Sequence, residues 1–310
     1  MKLIIQIPCL NEEEFLPIAF NDLPKGIEGI DKIEVLIVDD GSTDGTVAVA
    51  REMGIDHVVS LSHNQGLAVA FMVGIDRCLT EGADIIVNTD ADNQYVGADI
   101  EKLVRPILNG ESDIVIGARP IMDTNHFSPI KKMLQRLGSW VVRLASGTGI
   151  PDAPSGFRAI SRSAAKELNV FSEYTYTLET IIQAGQKNMR ITSVPIRTNG
   201  ELRPSRLFGN IFQYVQRSIL TILRIFVVYK PFAFFMGIGI TLLSLGILIG
   251  VRYLYFVFNG DPDGHIQSLI LTAILVGIGF QTILISFVAD LLAVNRRLLE
   301  GLKKRLQKYE

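Results

Sequence analysis

Ile85-Ile86-Val87-Asn88-Thr89-Asp90-Ala91-Asp92-Asn93-Gln94 joins a short apolar run to two aspartates that flank a single residue. The run Ile85 to Val87 predicts a buried strand, with the acidic loop placed just beyond its carboxyl end. Four other runs read as strands: Leu3 to Ile7, Val35 to Val38, Val58 to Leu61 and Ile114 to Ile116. Between them Glu13 to Leu23, Thr43 to Met53, Leu67 to Leu79 and Ile100 to Leu108 carry apolar residues at helical spacing. Strand–helix alternation of this kind specifies an α/β, Rossmann-like, mostly parallel sheet covered by helices. Open sheets of this class bind ligands beyond the carboxyl ends of their strands, so each loop that follows a strand is a candidate site.

Asp90 and Asp92 offer hard oxygen ligands at a spacing that can hold Mg²⁺ or Mn²⁺ while leaving positions for diphosphate oxygens. An acidic pair alone is a weak signal, because such pairs often only solvate a loop; its place after a strand is what strengthens it. Val38-Asp39-Asp40-Gly41-Ser42-Thr43-Asp44-Gly45 repeats the pattern at the second strand. Ser42, Thr43 or Asp44 is expected to cap the helix that follows. Asp39 and Asp40 are left to accept hydrogen bonds from a base or ribose. Pro8-Cys9-Leu10-Asn11-Glu12-Glu13 does the same at the first strand, so two polar loops converge on one nucleotide pocket. Glu13 and Glu14 are expected only to favour a helix N-terminus.

Further on, the sequence predicts a helix from Ile130 to Ser146, a Gly/Pro-rich binding loop from Gly147 to Gly156, helices at Ser163 to Leu168 and Leu178 to Gln186, and a strand from Ile191 to Arg197. Leu207 to Tyr229 is apolar with Arg217 and Arg224 at intervals, as in a helix lying along an anionic membrane surface. Phe232 to Val251 carries no charged residue and reads as a transmembrane helix. Ile266 to Ala289 reads the same way. Basic residues flank both spans on one side: Arg206, Arg217, Arg224 and Lys230 before the first, and Arg296, Arg297, Lys303, Lys304, Arg305 and Lys308 after the second. The connecting turn Asn259 to His265 holds Asp261 and Asp263 and no Lys or Arg, which places the turn outside and both termini in the cytosol.

A net charge of −2 over 310 residues gives no basic face for nucleic acid. Cys9 and Cys78 are read as buried thiols rather than a disulfide. The first residues lack the apolar core and cleavage pattern of a secretory signal, so the soluble part is expected in the cytosol. His57, His63, His126 and His265 show no metal-ligand spacing, and Trp140, Tyr174 and Tyr176 are expected to pack rather than stack on a sugar. Glu173 and Glu179 read as solvated helix positions.

Pro8, Asn11 and Glu12, then Asp39 to Asp44, Asn64-Gln65-Gly66 and Asp90-x-Asp92-x-Gln94 together resemble the family 2 glycosyltransferases of GT-A fold. Asp152-Ala153-Pro154-Ser155-Gly156-Phe157-Arg158 and the two C-terminal spans look like the polyprenyl-phosphate branch of that family, which includes dolichol-phosphate mannose synthases and bacterial polyisoprenyl-phosphate glucosyltransferases. The resemblance implies that Asp90, Asp92 and Gln94 bind the metal, that Pro8, Asn11, Glu12, Asp39, Asp40 and Asp90 hold the nucleotide sugar, and that Arg119 and Arg158 face phosphate groups. It also implies a homo-oligomer. Where family members often carry Ser-Lys before the membrane segment, this chain has Arg203-Pro204-Ser205-Arg206.

The expected reaction is transfer of a hexose, UDP-glucose-like in its donor, to polyprenyl phosphate, with GDP-mannose as the alternative donor and an inactive membrane-tethered binding subunit as the alternative of another class. An acceptor phosphate monoester has its second pKa near about 6 and needs no strong base. It needs cations, for which Arg158, Arg203 and Arg206 are candidates beside Ser205, and it needs orientation, for which Asp152 is the candidate. The expected catalytic group is therefore Asp92, Asp152 and Arg158. The organisation that follows is a cytosolic GT-A catalytic domain over 1–206, a juxtamembrane amphipathic helix over 207–230, a transmembrane hairpin over 231–290 and a basic cytosolic tail over 291–310.

Overall fold

The structure, a computed structural model, describes residues 1–120, 129–170, 176–200, 227–259 and 266–306, with isolated positions between 216 and 224. It divides into two compact units, Met1–Ser218 and Ile219–Glu310. Most of the juxtamembrane helix expected over 207–230 lies outside the described residues, as do Glu173, Tyr174, His126 and most of the Asn259 to His265 turn.

In the first unit the strands are β1 (Lys2–Cys9), β2 (Lys32–Asp39), β3 (His57–Ser60), β4 (Ile85–Asn88), β5 (Ile114–Ala118), β6 (Arg158–Ser161) and β7 (Ile191–Pro195). The helices are α1 (Leu16–Asp22), α2 (Thr46–Glu52), α3 (Leu67–Thr80), α4 (Ile100–Leu108), α5 (Pro129–Ser146), α6 (Arg162–Ala165) and α7 (Thr177–Gln186). One seven-stranded sheet has the order β3-β2-β1-β4-β6-β5-β7. The pairs β1–β2, β1–β4, β2–β3 and β5–β7 are parallel, whereas β6 runs antiparallel to both β4 and β5. The mostly parallel sheet is as expected; β6 is the strand that the sequence pattern hides. It is four residues long, opens with an arginine and leaves a Gly/Pro-rich loop, so no periodicity announces it.

The central strands are apolar on both faces because helices cover both. On one face Leu3, Ile5 and Ile7 pack with Val35, Ile37, Ile85, Val87, Leu103 and Ile107. On the other, Gln6 donates to the Phe71 carbonyl of α3 (3.4 Å), and Gly74 permits the close approach: a Cβ there would lie 2.4 Å from Gln6 Oε1. Cys9 and Cys78 are both buried and unlinked, as expected. The first two helices start inside their expected limits, whereas α3 and α4 start at Leu67 and Ile100 as expected. α1 begins at Leu16, with Pro17 setting the first turn, and α2 begins at Thr46, because Asp44 accepts the Thr46 N–H (3.0 Å) and keeps Ser42 to Gly45 in the preceding turn.

Asp99, fully buried at the start of α4, ties that helix to the segment after β7. It accepts the Arg197 backbone N–H (2.7 Å), the Arg197 guanidinium (2.7 Å) and Lys102 Nζ (2.9 Å). Burial alone would raise its pKa, but these donors outweigh it and hold the carboxyl at about 2. A depressed carboxyl stabilises the fold above its ordinary pKa and loses that contribution as pH falls through the folded value. Wild type should therefore lose about 2 kcal/mol between roughly pH 4 and pH 2 that Asp99→Asn does not lose. Chemical unfolding at stepped pH measures this, and parallel acid profiles for the two proteins would contradict it.

The second unit contains helices Pro231–Phe258 and Ile266–Leu306, both long and apolar enough to cross a membrane. They approach closely at glycines. A Cβ at Gly239 would lie 2.6 Å from Ile283 Cγ1, and one at Gly279 would lie 2.7 Å from the Leu243 backbone nitrogen.

Candidate active site

The parallel strands β1, β2 and β4 end side by side. Cys9 is in register with Asp39, and Gln6 with Asn88, so the loops that follow open on one edge of the sheet. Strand β6 runs the other way and therefore begins at this edge, with Arg158 in register with Asn88. Its direction is what brings the Asp152–Gly156 turn to the loop that holds Asp90 and Asp92.

At the β1 and β2 ends, the Asn11 N–H donates to Ser42 Oγ (2.9 Å) and Asn11 Oδ1 accepts the Thr43 N–H (2.8 Å). Asn11 adopts φ 55°, a left-handed conformation that asparagine tolerates. Pro8 and Glu12 are buried, and the Glu12 N–H donates to Thr46 Oγ1 (2.8 Å). Glu13 reaches across to accept the Gly45 N–H (2.7 Å), so it serves the start of α2 rather than of its own helix. Asp39 Oδ1 accepts the Ser42 N–H (3.0 Å). Asp40 uses both oxygens on the neighbouring loop, accepting the N–H groups of Gln65 (2.7 Å) and Gly66 (2.9 Å). The two adjacent aspartates thus have different surroundings: Asp40 holds the Asn64-Gln65-Gly66 segment in place, and Asp39 stands at the strand end itself.

Asp90, Asp92 and Gln94 are half-buried in the loop after β4. Asp92 Oδ1 accepts the Gln94 N–H (3.1 Å). From the far side Asn199 donates to the carbonyls of Asn93 (2.9 Å) and Gln94 (2.9 Å). Gly156 lies against Asp90: a Cβ there would meet the two carboxylate oxygens at 3.2 and 3.3 Å. Burial, and then the Asp92 charge, push the Asp90 carboxyl up to about 7, against the opposing pull of Arg119 and Arg158. Two crowded, partly desolvated carboxylates of this kind are what a divalent cation relieves, and the donors are all hard oxygens. Among the described residues no group of three or more His, Cys, Asp and Glu closes a cage. A cation held here would keep positions open for oxygens of another molecule, so the residues fit Mg²⁺ or Mn²⁺.

Arg119 follows β5 and forms a two-pronged pair with Asp152, through Nε to Oδ2 (2.8 Å) and Nη2 to Oδ1 (3.0 Å), while its N–H also donates to Oδ2 (3.1 Å). Arg158 is fully buried. Its guanidinium donates to the carbonyls of Ser155 and Thr177 and to Thr180 Oγ1, and lies 5.2 Å from the Tyr176 ring centroid. Arg203, Ser205 and Arg206 lie outside the described residues.

Sequence reasoning missed the buried residues that carry this arrangement. Asn88 accepts from Gln6 Nε2 (2.9 Å) and donates to the Gly156 carbonyl (3.0 Å) and to Tyr176 Oη (2.9 Å). Tyr95 stacks on Phe157 and accepts the Gly156 N–H (3.3 Å). An asparagine closing an otherwise apolar strand was the available signal. Tyr176 packs, as expected, stacked on Phe71 at 3.9 Å. Trp140 does not pack; it is 53% exposed on α5. Glu179 is buried on α7 rather than solvated.

Comparison with known proteins agrees with this geometry. The family described as Glycosyl transferase family 2 matches residues 4–168. The chain is 32% identical over 214 residues to a UDP-N-acetylglucosamine–dolichyl-phosphate N-acetylglucosaminyltransferase of Methanococcus voltae, covering 62% of this chain and 83% of that protein. It is 27% identical over 221 residues to a polyprenol monophosphomannose synthase of Mycolicibacterium smegmatis, covering 67% and 82% respectively. Among solved structures it is similar to glucosyl-3-phosphoglycerate synthase of Mycobacterium tuberculosis in complex with Mn²⁺, UDP and phosphoglyceric acid, with a TM-score of 0.54, 20% identity, and coverage of 71% of this chain and 78% of that one. That likeness establishes the GT-A fold expected from the motifs. With its ordered motifs gathered on one sheet edge and more than half its length matched, the chain belongs to glycosyl transferase family 2 and is a glycosyltransferase.

Proposed function

We propose that the protein transfers a hexose from a nucleoside-diphosphate sugar to polyprenyl phosphate at the cytosolic face of a membrane, into which its two apolar helices insert. The observation that carries this reading is the half-buried Asp90/Asp92 pair, set against Gly156 at the edge where the strands end. The named relatives act on dolichyl phosphate or make polyprenol monophosphomannose, which supports a polyprenyl-phosphate acceptor.

In the proposed reaction Pro8, Asn11, Glu12 and Asp39 line the nucleotide end, with Asp40 fixing the adjoining loop. Asp90 and Asp92, with Gln94 beside them, would hold Mg²⁺ or Mn²⁺, which supplies neutralisation of the charge gathering on the leaving diphosphate. An acceptor phosphate oxygen attacks the anomeric carbon in line. The new C–O bond forms as the bond to the diphosphate breaks, the electron pair leaves with the nucleoside diphosphate, and configuration inverts. The acceptor is already largely dianionic at neutral pH, so no side chain has to remove a proton. What the protein must supply is cationic guidance. Arg119, oriented by Asp152, and Arg203 and Arg206 beside Ser205 are the residues proposed for it.

UDP-glucose is the proposed donor, against UDP-N-acetylglucosamine and GDP-mannose. The purified full chain should be incubated with polyprenyl phosphate, Mn²⁺ or Mg²⁺ and each radiolabelled donor in turn. UDP-glucose is expected to give butanol-soluble label. Label from a different donor alone would correct the sugar, and no lipid-extractable label from any donor would overturn the transfer itself.

A further inference from the structure

The structure holds a buried guanidinium where the sequence suggests a phosphate ligand. Arg158 has no exposed surface, and among the described residues no carboxylate comes within ion-pair distance of it. An arginine buried in this way is costly unless its donors are satisfied by fixed acceptors. Its two terminal nitrogens find acceptors in two segments, the Ser155 carbonyl in the turn before β6 and the Thr177 carbonyl with Thr180 Oγ1 at the start of α7, while Nε is buried with no partner among the described residues. The flat fork of the guanidinium bridges the two segments, a task a lysine ammonium cannot copy.

Beneath it Tyr176 is fixed on three sides. Its ring stacks on Phe71 at 3.9 Å with an interplanar angle of 7°, the guanidinium covers it, and Asn88 Nδ2 donates to its hydroxyl at 2.9 Å. That hydroxyl would lie 3.0 Å from a Cβ at Gly156, the residue that also abuts both carboxylate oxygens of Asp90. Gly156 is held on its other sides by Asn88, through its carbonyl, and by Tyr95, through its N–H. A continuous packed path therefore runs from Arg158 through Tyr176 and Gly156 to Asp90.

We propose that Arg158 and Tyr176 are positioning residues for the acidic pair, clamping the Ser155–Gly156 turn to α7 so that Gly156 fixes the Asp90 carboxylate for a divalent cation, and that Arg158 does not touch the acceptor phosphate. This rests on the metal-binding reading of Asp90 and Asp92. Residues that orient a metal ligand from behind typically change metal affinity by about 10- to 100-fold when altered.

The test separates metal from acceptor. Mn²⁺ binding to the full chain is titrated by electron paramagnetic resonance, with no nucleotide present, for wild type, Tyr176→Phe, Arg158→Lys and Arg158→Met. The KM for polyprenyl phosphate is measured on the same preparations. Tyr176→Phe, which removes one oxygen from a stacked ring, is expected to fold as wild type and to bind Mn²⁺ about tenfold more weakly. Arg158→Lys should show at least the same loss without rescue, and acceptor KM should stay within about twofold. Unchanged Mn²⁺ affinity in Tyr176→Phe and Arg158→Lys, or a raised acceptor KM that Arg158→Lys restores, would overturn the proposal. If wild type itself bound no Mn²⁺ that Asp92→Asn abolishes, the metal reading would fall first, and the two failures are thereby told apart.

Discussion

Asp92→Asn is expected to cut sugar transfer by roughly 100- to 1,000-fold while leaving folding intact, a loss of about 3–4 kcal/mol of transition-state stabilisation. The argument is one of charge. Asp92 is half-buried beside Asp90, and its Oδ1 accepts the Gln94 N–H. Asparagine keeps that acceptor and the side-chain volume but removes the negative charge that would attract a divalent cation. Its neighbour should respond as well: with the Asp92 charge gone, Asp90 loses one of the two main influences that raise its carboxyl. The fold should tolerate or welcome the change, because crowded like charges are relieved. Steady-state transfer rates and thermal unfolding on the same samples check this. Full turnover in Asp92→Asn would refute the assignment.

Asp152→Asn is expected to cost stability before it costs chemistry, by about 3 kcal/mol. Asp152 is 1% exposed and receives three hydrogen bonds from Arg119, two of them from the guanidinium and one from its backbone. Neutralising Asp152 removes one charge of a two-pronged pair and leaves the half-buried Arg119 guanidinium without its main partner. A double-mutant cycle with Arg119→Met isolates the coupling. More than about 1 kcal/mol between the two positions is expected, and additive effects would contradict a pairing that holds the Asp152 turn to the end of β5.

The contrast between these two carboxylates shows how far the sequence could be read. The place of Asp90 and Asp92 just beyond β4 was legible because the strand before them and their spacing are local properties, and the same holds for the place of Asp39 at the end of β2. The apolar helices were legible for the same reason, since length and hydropathy need no partner. Asp152 and Arg158 carried a family pattern but not their surroundings. The pairing of Asp152 with Arg119 spans 33 residues, and the bond from Asn88 to Tyr176 spans 88. No periodicity reports which distant atoms a buried polar group will meet. The short antiparallel strand β6 was invisible for a related reason: its place comes from pairing with both β4 and β5, partners distant in sequence, rather than from a pattern within Arg158 to Ser161. The helix starts moved inward where Asp44 and Pro17 claimed the first turns, a detail of capping that broad apolar spacing does not resolve.

The central claim is that a cation seated between Asp90 and Asp92 receives the diphosphate of the donor. Anomalous scattering from crystals of the full chain grown with Mn²⁺ and a nucleoside diphosphate tests it most directly. The account predicts one strong manganese peak within coordination distance of both side chains, with diphosphate oxygens completing its shell; a diphosphate found elsewhere, with no peak beside these aspartates, would contradict it.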